Sequence, residues 1–199
     1  GWIGLYMTVV FAGAMMGGVL GGTLVERFGG LRVTQACLAL VALGLVGLTA
    51  GTLVPVGLAA FAMGLAYGPP TPASSHILAK VTPLRLMPLV FSLKQSGVPA
   101  GVALAGAVVP PIVLMAGWRG AALGVAGICL ATAVAFQPMR ARLDADRSRV
   151  ARFARDPFAP LRLVLKNPPL RRMAFLSFVY SAVQMSSIAY LVAYLVEDV

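Results

Sequence analysis

The sequence predicts an all-α membrane protein, an incomplete bundle in which six transmembrane helices are visible. Mean hydropathy is +0.90 and 59% of the residues are hydrophobic, against about 45–50% in soluble domains. The formal net charge is +10, but ten of the sixteen basic residues lie between Arg140 and Arg172. The basic charge therefore belongs to one loop, and we expect no nucleic-acid partner. Five stretches lack Lys, Arg, Asp and Glu: residues 1–25, 33–79, 95–118, 120–139 and 173–196.

Each uncharged stretch is long enough for one or two spans, because a helix needs about 20 apolar residues to cross a bilayer. The stretch 33–79 must hold two helices, and the turn at Gly51 followed by Pro55 suits a helix start. The predicted spans, in order, are 4–25, 33–51, 54–78, 87–116, 119–137 and 172–196.

The spans define three regions. Residues 1–137 hold five transmembrane helices, 138–170 form a basic loop rich in proline, and 171–199 hold the sixth helix. Two pairs of opposite charge spaced i,i+4 stand in the loop, Arg140 with Asp144 and Arg142 with Asp146. Such pairs stabilise a helix, so we predict a surface helix over 139–155.

Orientation follows from the loops, since basic loops stay in the cytoplasm. One side holds fourteen basic residues, including the long loop, and the other holds Arg119 alone. The fourteen-residue side is predicted to be cytoplasmic. The chain then starts outside at Gly1, which is not an initiator methionine. We therefore expect a fragment that lacks at least one helix upstream.

The first predicted turn carries a recognisable pattern, G-T-L-V-E-R-F-G-G-L-R over residues 22–32. It resembles the loop signature G-x-L-x-D-R-x-G-R-R/K of the major facilitator superfamily, which joins that family's second and third helices. Glu26 replaces the usual Asp, and Gly30 stands where a basic residue is expected. The resemblance implies a conformational-gating loop whose charges latch the two halves of the transporter; an ordinary solvated turn is the alternative. The gating residues would be Gly22, Leu24, Glu26, Arg27, Gly29 and Arg32.

The resemblance extends over the whole chain. If residue 4 opens the family's second helix, the basic region 138–170 falls where that family places the cytoplasmic linker between its two halves. The fragment would then span the second to the seventh helix. This implies a multi-pass permease, and the arginine-rich composition suggests the inner membrane of a bacterium.

Two spans carry polar stripes that are typical of cavity-lining helices. These spans are 54–78 and 172–196. The span 54–78, which would be the family's fourth helix, is interrupted by the Gly-Pro-Pro-Thr-Pro run 68–72. Such breaks mark buried or cavity-lining backbone. Hydrogen bonding between helices without substrate is the alternative for the last span. The candidate substrate-pathway residues here are Tyr67, Thr71, Ser74 and His76, then Tyr180, Gln184 and Ser187.

Lys94, followed by Gln95, is the only charged residue well inside a predicted span. It lies about 8 residues from the start of its helix, or roughly 12 Å. Small residues such as Gly97 and Gly101 follow it at helical spacing and permit close packing, so Lys94 is expected to face protein. An interior cation favours an anionic ligand; snorkelling to the interface and a structural ion pair are the alternatives.

These features predict a secondary active transporter that moves a small organic solute, with an organic anion as one candidate, by alternating access. A multidrug-type exporter of hydrophobic compounds is the runner-up, and a non-transporting membrane scaffold is a third reading. We predict no enzyme, because the spans contain no paired acids or His cluster. We also predict no cofactor and no metal, with membrane lipids and a small-molecule substrate as partners. The substrate, the direction of transport and the coupling ion are left open.

Overall fold

The computed structural model describes residues 2–145 and 159–197. The chain divides into two compact units, Gly1–Arg155 and Asp156–Val199, each of which is described by itself. The helices of the first unit are α1 (Trp2–Phe28), α2 (Gly30–Leu48), α3 (Leu53–Tyr67), α4 (Pro70–Val81), α5 (Met87–Ala135) and α6 (Arg140–Leu143). The helices of the second unit are α7 (Ala159–Lys166) and α8 (Pro168–Glu197).

Within the described residues, four helical stretches are long and apolar enough to cross a membrane: Gly4–Phe28, Gly30–Leu48, Leu53–Val81 and Leu84–Leu143. The last stretch contains two predicted spans, 87–116 and 119–137. Between them Gly117, with φ 70° and ψ 168°, interrupts the helical geometry of α5. Large side chains around it, such as Leu114 and Met115, are each 88% exposed, as suits a surface that faces lipid. Helix α8 covers the sixth predicted span.

Helices α1 and α3 form the closest packing of the first unit, and glycines make it possible. A Cβ on Gly13 would lie 2.5 Å from the Phe61 carbonyl oxygen. A Cβ on Gly17 would collide with the Leu65 carbonyl oxygen, and one on Gly64 with that of Val10. Small residues that let backbones approach closely drive helix association in membranes, where the hydrophobic effect gives little.

Helix α2 lies between α3 and the part of α5 that follows Gly117. The turn that joins α2 to α3 contains Gly51 with φ 72°, a conformation that favours glycine. On the other side, the Gln35 amide Nε2 donates a hydrogen bond of 2.8 Å to the Ala133 carbonyl oxygen. The small core of the unit therefore sits around α2, and its buried members are Val25, Val33, Cys37, Ala66 and Ala73.

The predicted span 54–78 is confirmed as helical but consists of two helices, α3 and α4, separated at Gly68 and Pro69. Proline has no N–H to donate to the carbonyl four residues earlier, so the proline run 69–72 removes several helical hydrogen bonds. Helical bonding resumes when the Ala73 amide donates to the Pro69 carbonyl oxygen at 3.1 Å.

The surface helix predicted over 139–155 is wrong in the part that the structure describes. Helix α6 ends at Leu143, and residues 144 and 145 form a turn; residues 146–155 lie outside the described part of the chain. The reason is that the Asp144 side chain is 3% exposed and binds the backbone at the start of α2, instead of supporting a solvated helix beside Arg140.

Candidate functional site

Lys94 joins α5 to α4. Its Nζ donates a hydrogen bond of 2.7 Å to the Ser75 hydroxyl and one of 3.1 Å to the Thr71 carbonyl oxygen. The Nζ also lies 5.8 Å from the centroid of the Phe91 ring, within the range of a cation–π contact. The side chain is half-buried. Its charge is thus held against α4, the helix that follows the proline break. It does not extend toward the start of α5, which is the nearer end of that helix.

The candidate residues of α3 and α4 flank this contact. Tyr67, at the end of α3, is 66% exposed, and the Thr71 side chain is exposed as well. The Ser74 hydroxyl donates to the Pro70 carbonyl oxygen at 2.6 Å, so its own helix satisfies it. His76 follows Ser75 and is exposed. Lys94, Thr71 and Ser75 therefore form the centre of this polar cluster, and Tyr67 ends α3 on the other side of the proline break.

Gln95 and the small residues after Lys94 face away from any packing in the described part of the chain. Gln95 is exposed, and a Cβ on either Gly97 or Gly101 would meet nothing within 4 Å. The close packing expected at these glycines is therefore not present among the described residues. The position of Lys94 is instead explained by the short connection from α4 to α5, which brings Thr71 and Ser75 opposite it.

Tyr180, Gln184 and Ser187 lie on α8, in the second unit. All three side chains are exposed, Tyr180 by 69%. Spacings of four and three residues put them near one face of the helix. The structure thus presents a polar stripe on α8 and a separate polar cluster at Lys94, and their common role in a substrate pathway stays a prediction.

The predicted gating loop is a very tight turn in which Gly29 alone separates α1 from α2. Gly29 has φ 92° and ψ 152°, a region essentially restricted to glycine. Glu26 and Arg32 are exposed, and the Arg27 guanidinium lies 5.3 Å from the centroid of the Phe28 ring. The three charged side chains of the pattern therefore point outward from the turn.

Gly22 and Leu24, the first two residues of the pattern, belong to the last turns of α1. Gly22 is exposed, with open space where a Cβ would stand, whereas Leu24 is half-buried and packs on the core around α2. Gly30 begins α2 and is buried against α4, where a Cβ would lie 2.9 Å from the Ala73 carbonyl oxygen. A long basic side chain at position 30, as in the family signature, has no room in this packing.

Asp144 completes the turn, and the sequence patterns did not indicate this role. Its carboxylate accepts hydrogen bonds from the Leu31 amide at 2.9 Å and from the Arg32 amide at 3.0 Å. These are among the amides of the first helical turn, which have no partner within a helix. Gly29, at the position before α2, offers no side chain to cap them. Asp144 supplies the cap from more than a hundred residues away.

An apolar groove of about 360 Å³ runs beside this turn, between α1, α2 and α3. Leucine, phenylalanine and alanine side chains form most of its wall, and Arg32 is the one charged residue that lines it. The polar residues predicted for the substrate pathway do not line this groove. It is therefore a separate feature from the cluster at Lys94.

The fold and the two sites describe a polytopic helical membrane protein with a tight charged turn and a polar cluster at a broken helix. Comparison with protein families agrees, since the model of the Major Facilitator Superfamily matches residues 2–199. The chain belongs to the major facilitator superfamily and is an integral, multi-pass membrane transporter. The search of curated proteins and the search of solved structures each returned no match.

Proposed function

We propose that this chain forms part of a secondary active transporter that moves a small organic anion by alternating access. The observation that carries the proposal is Lys94, a half-buried cation held at 2.7 Å from Ser75 beside the proline break. Charges inside a membrane protein are costly and usually mark a substrate or ion pathway. A carboxylate that takes the place of the two present acceptors would compensate this charge.

The neighbouring groups suit such a ligand. Prolines 69, 70 and 72 lack N–H groups, so carbonyl oxygens at the break lack helical donors. These oxygens can accept hydrogen bonds from hydroxyl or amino groups of the solute, while its carboxylate would face Lys94. Tyr67 at the end of α3 and Thr71 at the start of α4 offer exposed hydroxyl groups on the two sides of the proline break. Gln95 and His76 would extend the pathway on either side, and Tyr180, Gln184 and Ser187 would contribute from the other half of the transporter.

The same proposal assigns an orientation and a register. The long basic region 138–170 would be the cytoplasmic linker between the halves, in the inner membrane of a bacterium, because fourteen basic residues lie on that side and one on the other. The visible helices would be the second to the seventh of the family. The turn at Gly29 would gate the transport cycle through Glu26, Arg27 and Arg32.

The test is thermal stabilisation of the purified full-length transporter by three groups of compounds: organic anions, neutral sugars and lipophilic cations. A ligand that prefers the folded state adds about 2.7 kcal/mol at one hundred times its dissociation constant. We expect an organic anion to stabilise the native protein and to lose this effect in Lys94→Gln. Stabilisation by neutral sugars alone, or an anion effect that survives Lys94→Gln, would refute anion recognition by Lys94. Stabilisation by lipophilic cations alone would indicate a multidrug-type exporter.

A further inference from the structure

The hydrogen bonds of Asp144 connect two parts of the chain that are far apart in sequence. The residue directly follows α6, the last helix that the structure describes in the first unit, and its carboxylate lies on the turn at Gly29. At 3% exposure, Asp144 is the one buried charged side chain in the described part of the chain. Burial of a carboxylate is costly unless its oxygens accept hydrogen bonds, and here each oxygen accepts one from a backbone amide.

The turn is shaped to receive this side chain. A Cβ on Gly29 would collide with the Cγ and the Oδ1 of Asp144, so only a glycine leaves room for the carboxylate. Each oxygen faces a different amide, Oδ1 that of Leu31 and Oδ2 that of Arg32. The partial positive charge at the start of α2 adds to the attraction. The Asp144 carboxylate therefore fills the space that a side chain at position 29 would occupy.

We propose that Asp144 is a positioning residue that clamps the start of the linker, residues 138–145, to the gating turn, so that these residues and the turn move together during the transport cycle. Glu26 and Arg27 lie in the last turn of α1 and Arg32 in the first turn of α2, on the two sides of Gly29, and all three side chains are exposed. Displacement of residues 138–145 is then transmitted directly to these charges. This inference rests on the proposed gating role of the turn, but the clamp itself is testable without transport.

The first experiment measures hydrogen exchange over residues 29–35 in the full-length protein and in Asp144→Ala, Asp144→Asn and Asp146→Asn. Hydrogen bonds to charged acceptors are the stronger ones, so we expect exchange at Leu31 and Arg32 to rise by about 10- to 100-fold in the alanine variant. Asn has a single acceptor oxygen and leaves one amide unsatisfied, so it should raise exchange less. Asp146→Asn removes the same charge two residues away and should change nothing. Unaltered exchange in Asp144→Ala would overturn the clamp.

A double-mutant cycle supplies a second, independent measurement. Gly29→Ala lowers the midpoint of thermal unfolding both through its positive φ and through collision with the Asp144 carboxylate. The collision disappears in Asp144→Ala, so Gly29→Ala should cause a smaller drop in that background. Equal drops in the two backgrounds would show that the carboxylate and the turn do not interact, and would contradict the proposal.

The positioning role needs a readout that a purely structural cap would leave unchanged. Tyr67→Cys, in the full-length protein freed of its other cysteines, is labelled with an impermeant maleimide and reports which side of the membrane reaches the proposed substrate pathway. We expect Asp144→Asn to shift the ratio of labelling from the two sides at least threefold, and Asp146→Asn to leave it unchanged. Faster exchange at Leu31 with an unchanged labelling ratio would mean that Asp144 only caps α2, and would overturn the positioning role. Loss of anion binding alone bears on the proposed substrate and not on this clamp.

Discussion

At the scale of single residues, two side chains define the sites through their hydrogen bonds. Lys94 holds its ammonium against Ser75 and the Thr71 carbonyl oxygen, whereas Asp144 holds its carboxylate against two amides of α2. The acceptors of the cation are a hydroxyl and a carbonyl oxygen, both uncharged, and the proposed anionic ligand would replace them. The carboxylate already has its oxygens satisfied by backbone. The first arrangement suits binding, and the second suits a fixed structural connection.

Lys94→Gln in the full-length transporter should weaken binding of an organic anion by about 10- to 100-fold, because a hydrogen bond to a charged group contributes about 1.5–3 kcal/mol. Titration calorimetry with the stabilising anion measures this change. Lys94→Arg keeps the charge and should retain part of the affinity. Lys80→Gln removes a charge at the last turn of α4 and serves as the matched control. Equal affinity in Lys94→Gln and in the native protein would contradict the assigned role.

Gly30 tests whether the departure from the family signature has a packing reason. Gly30→Arg restores the expected basic residue, but its Cβ would press on the Ala73 carbonyl oxygen and the Ile77 side chain. Overpacking costs about 1–3 kcal/mol, so the variant should unfold at a lower temperature than the native protein. Gly22→Ala adds a Cβ in open space on the same pattern and should have little effect. A more stable Gly30→Arg would show that α4 yields at this position.

At the scale of the helices, backbone approach decides the packing. Along α1, Gly13, Gly17 and Gly21 recur every four residues and face α3 or the proline break, whereas Gly18 faces open space. Glycine in a helix interior costs about 1 kcal/mol relative to alanine. This cost is tolerated where the backbone of a neighbouring segment lies too close to leave room for a Cβ. Adjacent glycines on one helix thus have different roles that the contacts distinguish.

Gly17→Ala should destabilise the α1–α3 packing by about 1–3 kcal/mol, because its Cβ would collide with the Leu65 carbonyl oxygen. Gly18→Ala, one position along, meets no atom within 4 Å and should be neutral or stabilising. Thermal unfolding in detergent compares the two variants. Equal destabilisation by both would mean that helix propensity and not interhelical contact governs this segment.

At the scale of the whole molecule, the connections set which loops share a side of the membrane. The stretch Leu53–Val81 has 29 residues and a length of about 43 Å at 1.5 Å per residue, more than the hydrocarbon core of about 30 Å. A helical stretch of this length can cross the bilayer, so we expect its two flanking turns on opposite sides. The distribution of basic residues predicts which side is which.

Single cysteines at Thr52 and Arg85 test this orientation. Thr52→Cys should react with an impermeant maleimide in intact cells, whereas Arg85→Cys should react only after the membrane is permeabilised. Gel-shift labelling of both variants in parallel gives the answer, with each serving as the control for the other. The reverse pattern would invert the topology and place the basic linker outside.

The sequence by itself determined the helical class, the positions of the long apolar helices, the break at the prolines and the family pattern at residues 22–32. These features depend on local properties, namely hydropathy, missing N–H donors and turn glycines, which a single segment carries without its neighbours. Lys94 also stands out by sequence, since an isolated charge in an apolar span needs a partner wherever the helix packs.

Only the tertiary structure decided which groups meet. Asp144 looked like one half of an i,i+4 pair with Arg140, yet it caps α2 from the other end of the unit. By sequence Gly97 and Gly101 are expected to pack against another helix, yet they face open space in the described part of the chain. Gly30, which stands where the family signature has a basic residue, lies against α4. Each of these outcomes depends on contacts between segments distant in sequence, and no local pattern encodes such a distance.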